Sequence, residues 1–143
     1  MDFYPSVVVH FKNGDLKKGY THNFALYREI FSLTEVDSHT KEEREPVDIK
    51  VEDLKAVFFV KDFDGDPQYR PDHEAERYGF GDRVEVTFHD KETLVGYTPR
   101  YKENNNGFIL YPADSETNNA IVAVIRSAAQ SIKAEKKHSY FSF

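Results

Sequence analysis

Residues 7–33 and 84–110 are one pattern written twice. A shift of 77 residues, without a gap, places Val7 on Val84, Val9 on Val86, Phe11 on Phe88 and Gly19 on Gly96. It also places Tyr20 on Tyr97, Thr21 on Thr98, Phe31 on Phe108 and Leu33 on Leu110, eight identities in 27 positions. Asn13/Asp90, Asp15/Glu92 and Phe24/Tyr101 are near matches. The shared pattern is V-x-V-x-F, a polar turn, G-Y-T, then F-x-L. Repetition of this kind argues for two copies of one small fold. In a chain of 143 residues, each copy has about 65–75 residues, near the lower limit for an independent core. The two copies are therefore expected to pack on each other.

Each copy reads as five short strands. Val7, Val9 and Phe11 alternate with Val8 and His10, the period of a half-buried strand. Asn13-Gly14 is a favoured pair for a type I′ hairpin turn, in which both residues take positive φ. Leu16 to Phe24 returns as a second strand, and the glycine in its middle, Gly19, marks a bulge or bend that Gly96 repeats. Ile30–Leu33 is a third strand, residues 34–46 a solvated loop, and Val47–Val51 a fourth strand. Glu52–Lys55 is a tight turn. Ala56–Val60 is a continuous apolar run and the best candidate for a fully buried strand.

The second copy repeats the order with Arg83–Phe88, Thr93–Tyr101 and Gly107–Tyr111. The run Asn104-Asn105-Asn106-Gly107 suits left-handed backbone positions. The shift then shortens to 75, placing Val47, Ile49 and Val57 on Val122, Val124 and Ile132. Residues 120–133 read as strand, turn and strand. A helix is the alternative there, and the alternation of Val122 and Val124 argues against it. The resulting organisation is a first β-barrel repeat over 1–66, a linker over 67–82, a second repeat over 83–134 and a tail over 135–143. The fold class is all-β.

Net charge is −6 and the pI about 5.5, which gives no general attraction for phosphate backbones. The chain has no cysteine, so disulfides, thiolate zinc sites and cysteine nucleophiles are excluded. Met1 to Pro5 lacks the basic region and apolar run of a signal peptide, and no apolar stretch reaches membrane-spanning length. A soluble, cytoplasmic chain is the expectation.

Five short strands with a glycine-bent second strand and a one-turn helix before the last strand resemble a small Sm-like or SH3-like barrel. The resemblance rests on Asn13-Gly14, Gly19, Phe24, Phe31, Leu33 and the Leu54/Val57 pair, and it implies a tandem pair of five-stranded barrels. Of the Tyr-Lys-His type motif that Sm-like RNA chaperones use on uridine-rich RNA, expected near Ile49-Lys50-Val51, Lys50 alone matches. A second resemblance, covering nearly the whole chain, is to an uncharacterised bacterial domain family. It is carried by F-K-[DN]-G-x-x-x-x-G-Y-T at Phe11–Thr21, A-V-F-F-V-K-D-F-x-G-D at Ala56–Asp66, V-G-Y-T at Val95–Thr98 and F-x-L-x-P-A-D-x-x-x-N-N at Phe108–Asn119. That family implies no activity.

The sharpest polar cluster is Lys61-Asp62-Phe63-Asp64-Gly65-Asp66. Its carboxylates, Asp62, Asp64 and Asp66, are the candidate ligands for Ca²⁺ or Mg²⁺, hard cations that take oxygen donors. The EF-hand spacing fails, because Pro67 and His73 stand where glycine and glutamate are needed. The plainer reading is an acidic turn bonded to its own backbone. An intermediate reading has this segment, with Gln68, Tyr69 and Arg70, clamping the two copies together. Tyr20 and Tyr97 recur with the repeat and are either paired ligand surfaces or β-formers beside a bend. Residues 112–119 are rich in hydrogen-bonding side chains, including Asn118 and Asn119. Lys61, Tyr69, Tyr20, Tyr97, Asn118 and Asn119 are thus candidate interaction residues.

None of the six histidines has metal-ligand spacing, and no catalytic motif stands out. Tyr140-Phe141-Ser142-Phe143 is an aromatic ending suited to docking on a partner or a sheet edge. The function expected is a non-enzymatic binding or regulatory module whose partner is a protein. The alternatives are nucleic-acid or nucleotide binding through the barrel surface, and a divalent-cation site at Asp62–Asp66.

Overall fold

The computed structural model describes residues 5–103 and 105–135. The aromatic ending Tyr140–Phe143, like Met1–Tyr4, lies outside the described residues. Among the described residues ten strands appear in the order the repeat demands: β1 (Ser6–Phe11), β2 (Leu16–Thr21), β3 (Ile30–Glu35), β4 (Val47–Lys50) and β5 (Leu54–Val60), then β6 (Asp82–Phe88), β7 (Thr93–Thr98), β8 (Gly107–Pro112), β9 (Asn119–Ile125) and β10 (Ala129–Glu135). A single 3₁₀ turn precedes the last strand of each unit, at Val51–Asp53 and Arg126–Ala128. Residues 120–133 are strand, turn and strand, with no α-helix.

The tandem barrels are not formed. All ten strands make one antiparallel sheet in the order β10-β6-β7-β8-β9-β5-β1-β2-β3-β4. Each unit does have the same internal order, with its last strand beside its first and its fourth at the far side. Closing a barrel requires the fourth and fifth strands of one unit to pair. Instead β9, the fourth strand of the second unit, pairs with β5, the fifth strand of the first, from Ala56↔Val124 to Val60↔Asn119. That seam uses the hydrogen-bonding edges that closure needs. β4 and β10 are left as the ends of an open sheet.

A single sheet has no second layer, so its wings must cover its own middle. The strands at the centre are apolar on both faces for this reason. Val7, Val9, Val57 and Ala123 join Phe31, Leu33, Ile49 and Leu54 in one cluster. Val8, Ala56, Phe58, Val122 and Val124 join Val84, Val86, Phe88 and Leu110 in another. Successive residues point to opposite faces, so each unit's core occupies one face of the shared middle.

The glycines and turns also differ from the expectation. Pairing runs through Gly19 and Gly96 without a register shift, so neither is a bulge. A Cβ on Gly19 would overlap the Thr34 carbonyl, and one on Gly96 the Tyr111 carbonyl. The recurring glycine permits this close approach of the third strand. Asn13-Gly14 is not a type I′ turn, since Gly14 alone has positive φ (96°). Phe11 and Asp15 close a three-residue loop around it. The position equivalent to Gly14 is Lys91, at φ 78°. Among the described residues of the 104–107 run none is left-handed, and Arg100, at φ 48°, holds that conformation nearby.

The bulges lie elsewhere. Between His10 and Phe11 the pairing with β5 skips Lys55, and between Ala129 and Ser131 the pairing with β6 skips Gln130. These are equivalent positions, 75 apart. A bulge re-aims the extra side chain, and that is what positions Lys55.

Candidate functional site

The two units meet in a groove of about 730 Å³, within the size range of ligand sites. Its walls are equivalent loops. In the first unit the Val51 N–H donates to the Glu29 carbonyl (2.9 Å), and in the second the Arg126 N–H donates to the Asn106 carbonyl (2.9 Å). The repeat thus builds a matched pair of loop–turn contacts, one on each side. Lys12 bridges the walls, its Nζ donating to the Glu52 carbonyl (2.7 Å) and to Ser127 Oγ (2.7 Å).

The groove has an apolar floor and a mixed, mostly polar rim that also exposes two apolar side chains. Tyr27 is 86% exposed and Ile30 43%, and Leu26, Val51 and Ile125 continue the lining. Its charges are mixed, three cations, Arg28, Lys50 and Arg126, with two anions, Glu29 and Glu52. Arg126 is occupied in holding the second loop: Nε donates to the Asn105 carbonyl, Nη2 to the Lys102 carbonyl and Nη1 to Tyr101 Oη. Lys50 is also the last residue of β4, so the free edge of the sheet runs directly into the groove.

A second polar contact crosses the seam. Lys55, re-aimed by its bulge, is only 7% exposed and reaches the hairpin of the other unit, Nζ donating to Asp90 (2.7 Å) and Glu92 (2.5 Å) and lying 4.8 Å from the Phe88 ring centre. Burial acts to lower its pKa, but bonding to Asp90 and Glu92 outweighs it and the net shift is upward. His10 packs on Phe58 with ring centres 4.3 Å apart. Burial first, and the Lys55 charge second, push its pKa down to about 4. His10 is therefore neutral at pH 7, and the group reads as a packed ion pair.

The sequence-derived candidates fall in a different place. Lys61 Nζ donates to the Ser115 carbonyl (2.7 Å), while Asp62 and Asn118 exchange two hydrogen bonds, Asp62 N–H to Asn118 Oδ1 (2.9 Å) and Asn118 Nδ2 to the Asp62 carbonyl (2.7 Å). On the other side, Lys18 donates to the Phe63 carbonyl (2.8 Å), Tyr20 meets Phe63 edge-on, and Lys41 pairs with Asp64 at 3.3 Å. The segment thus touches both units. Asp62 Oδ1 accepts from the Asp64 N–H, and Asp66 Oδ1 from the Gln68 N–H. Among the described residues no three acidic or histidine side chains converge as a metal site.

Tyr69 donates to Asp114 (2.5 Å), which also accepts from the Asp72 N–H (2.9 Å). That bond lifts the Tyr69 pKa to about 12 and, with the N–H groups of Asp72 and Glu116, lowers that of Asp114. Tyr97 is buried beside Ala113, with Arg83 donating to its hydroxyl (3.3 Å). Tyr20 and Tyr97 therefore face different neighbours and form no paired surface. The Asn119 carbonyl accepts from Thr117 Oγ1 (3.1 Å).

The groove residues Tyr27, Arg28 and Ile30 belong to no motif. Their signal is divergence inside the repeat: Tyr27-Arg28-Glu29-Ile30 in the first unit stands against Asn104-Asn105-Asn106-Gly107 in the second.

No helix among the described residues is long and apolar enough to cross a membrane. No curated protein and no solved structure matches the chain. A family of unknown function, DUF6982, matches residues 5–136, across both units and the segment between them, and the chain belongs to that family.

Proposed function

We propose that the chain is a non-enzymatic binding module that takes an extended segment of a partner protein in the groove between its units. The observation that carries this reading is the groove itself, which exposes Tyr27 and Ile30 among charges of both signs and is continuous with the edge of β4 that no other described strand pairs. Extended peptides bind by adding to a sheet edge and placing alternate side chains in neighbouring pockets. A polyanion needs a strong excess of cations, and here Glu29 and Glu52 offset all but one of the charges of Arg28, Lys50 and Arg126. The overall charge of −6 weighs the same way.

The test is selection from a random displayed-peptide library on the intact chain, followed by titration of the winners. Enriched peptides whose affinity falls at least ten-fold on Tyr27→Ala or Ile30→Ser are expected. No enrichment, or winners indifferent to both substitutions, overturns the reading.

A further inference from the structure

Among the described residues β4 is one of the two strands with a neighbour on one side only. Shifted by 75 residues, its Val47 and Ile49 fall on Val122 and Val124 of β9. Val122 is 1% exposed and Val47 is 38%. The difference is what lies alongside. Phe58 of β5 stands opposite Val122, and Ala56 opposite Val124. Among the described residues β4 pairs with β3 alone. The inner seam is thus a worked example, within the same chain, of what completes this strand.

We propose that β4 accepts an antiparallel strand of a partner protein in the register that β5 uses on β9, with the side-chain order acidic, small, basic, aromatic. The aromatic residue would stand opposite Val47, as Phe58 stands opposite Val122. The small residue would stand opposite Ile49, as Ala56 stands opposite Val124. The charges come from where the two strands differ. Asp48 and Lys50 replace Ala123 and Ile125, so the partner needs a basic residue opposite Asp48 and an acidic one opposite Lys50. A second copy does not supply this order. The same register sets Ile132 of its β10 against Asp48 and Lys133 against Val47. Read antiparallel, the partner's chain before the acidic residue leads into the groove at Lys50. The inference rests on the protein-binding reading and adds the register and the sequence.

The probe is a synthetic peptide carrying Glu-Ala-Lys-Phe in a Thr/Val frame, titrated against the intact chain beside its charge-reversed form, Lys-Ala-Glu-Phe. At least ten-fold tighter binding of the first is expected, with protection of the β4 amides from hydrogen exchange. The double variant D48K/K50E should reverse the preference, a gain that a folding defect cannot imitate. Equal binding of the two peptides, or an unreversed preference, overturns the register. If library-selected peptides still bind through Tyr27, the groove reading survives that failure. If no peptide of either origin binds, both fall.

Discussion

The seam between β9 and β5 and the outer edges at β4 and β10 are the same strand positions used in opposite ways. At the seam β5 presents Ala56, Val57 and Phe58, all buried. The equivalent residues of β10 are Ser131, Ile132 and Lys133. β9 presents Val122, Ala123, Val124 and Ile125, against Val47, Asp48, Ile49 and Lys50 on β4. The repeat supplies two edges of each kind, and they differ. One pair is apolar and joins the units. The other carries charges, which restrain uncontrolled strand addition at an open edge. The difference teaches that the same strand position is buried or left at an edge according to its composition, and that an incoming strand must match charges that β10 does not match.

The comparison breaks most plainly at Phe58. Phe58→Ala at the seam should cost about 3–5 kcal/mol, the range for truncating a buried aromatic. Lys133→Ala, at the equivalent exposed position, should cost less than ~0.5 kcal/mol. Denaturant unfolding of both variants measures the contrast. Similar losses would mean that the seam is not what holds the units together. The groove substitutions Tyr27→Ala and Ile30→Ser belong on the outer side of this comparison, with binding lost at least ten-fold and stability little changed.

The acid side of the stability curve sharpens the same contrast. His10, on β1, packs on the seam residue Phe58; its equivalent, Thr87, does not titrate. In the fold its pKa is about 4 against an ordinary 6.5, held down by burial and then by Lys55, with Glu92 and Asp90 opposing. Between pH 6.5 and 4 the unfolded chain therefore binds a proton that the folded chain does not. Stability is fully present above pH 6.5 and declines as pH falls to 4. His10 is partly exposed, so solvent screening trims the loss to about 2 kcal/mol. His10→Gln should flatten that limb. Below it, protonation of Asp90, whose carboxyl Lys55 and the Glu92 N–H hold below the ordinary range, adds a further loss. An unchanged limb in the variant would remove His10 from the account.

Much of the fold is legible in the residues alone, and the reason is local. Val7/Val9/Phe11 alternation, the apolar run at Ala56–Val60 and the 77-residue shift specify strands, their order and the equivalence of the units. The barrels fail on a question that periodicity does not pose. β4 and β9 carry nearly the same alternation, and nothing in either strand states whether its fifth-strand partner belongs to its own unit or the other. The better signal is the difference between the copies. Phe58 against Lys133, and Ile125 against Lys50, mark which edges are buried. The site is hidden for a related reason. Asp62, Asp64 and Asp66 stand out because acidic clusters are conspicuous, whereas Tyr27 and Ile30 gain meaning once the seam brings Asn105 and Asn106 to the same groove.

The smallest effect lies where the copies differ by one backbone conformation. Gly14 and Lys91 close equivalent three-residue hairpin loops with φ of 96° and 78°. Glycine adopts that region freely, and a residue with Cβ holds it at a cost of about 1 kcal/mol. Lys91 recovers part of that cost by donating to Gln130 Oε1 at 2.6 Å, an exposed contact worth a few tenths of a kcal/mol. Lys91→Gly should therefore stabilise the chain by about 0.5 kcal/mol, with the glycine's extra freedom in the unfolded chain setting the limit. Gly14→Lys, the reverse exchange, has no equivalent of Gln130 to meet, because Lys55 stands at that position and is engaged with Asp90 and Glu92. It should cost about 1 kcal/mol. Paired melts of the two variants read the asymmetry directly, and equal and opposite shifts would show that the backbone alone decides.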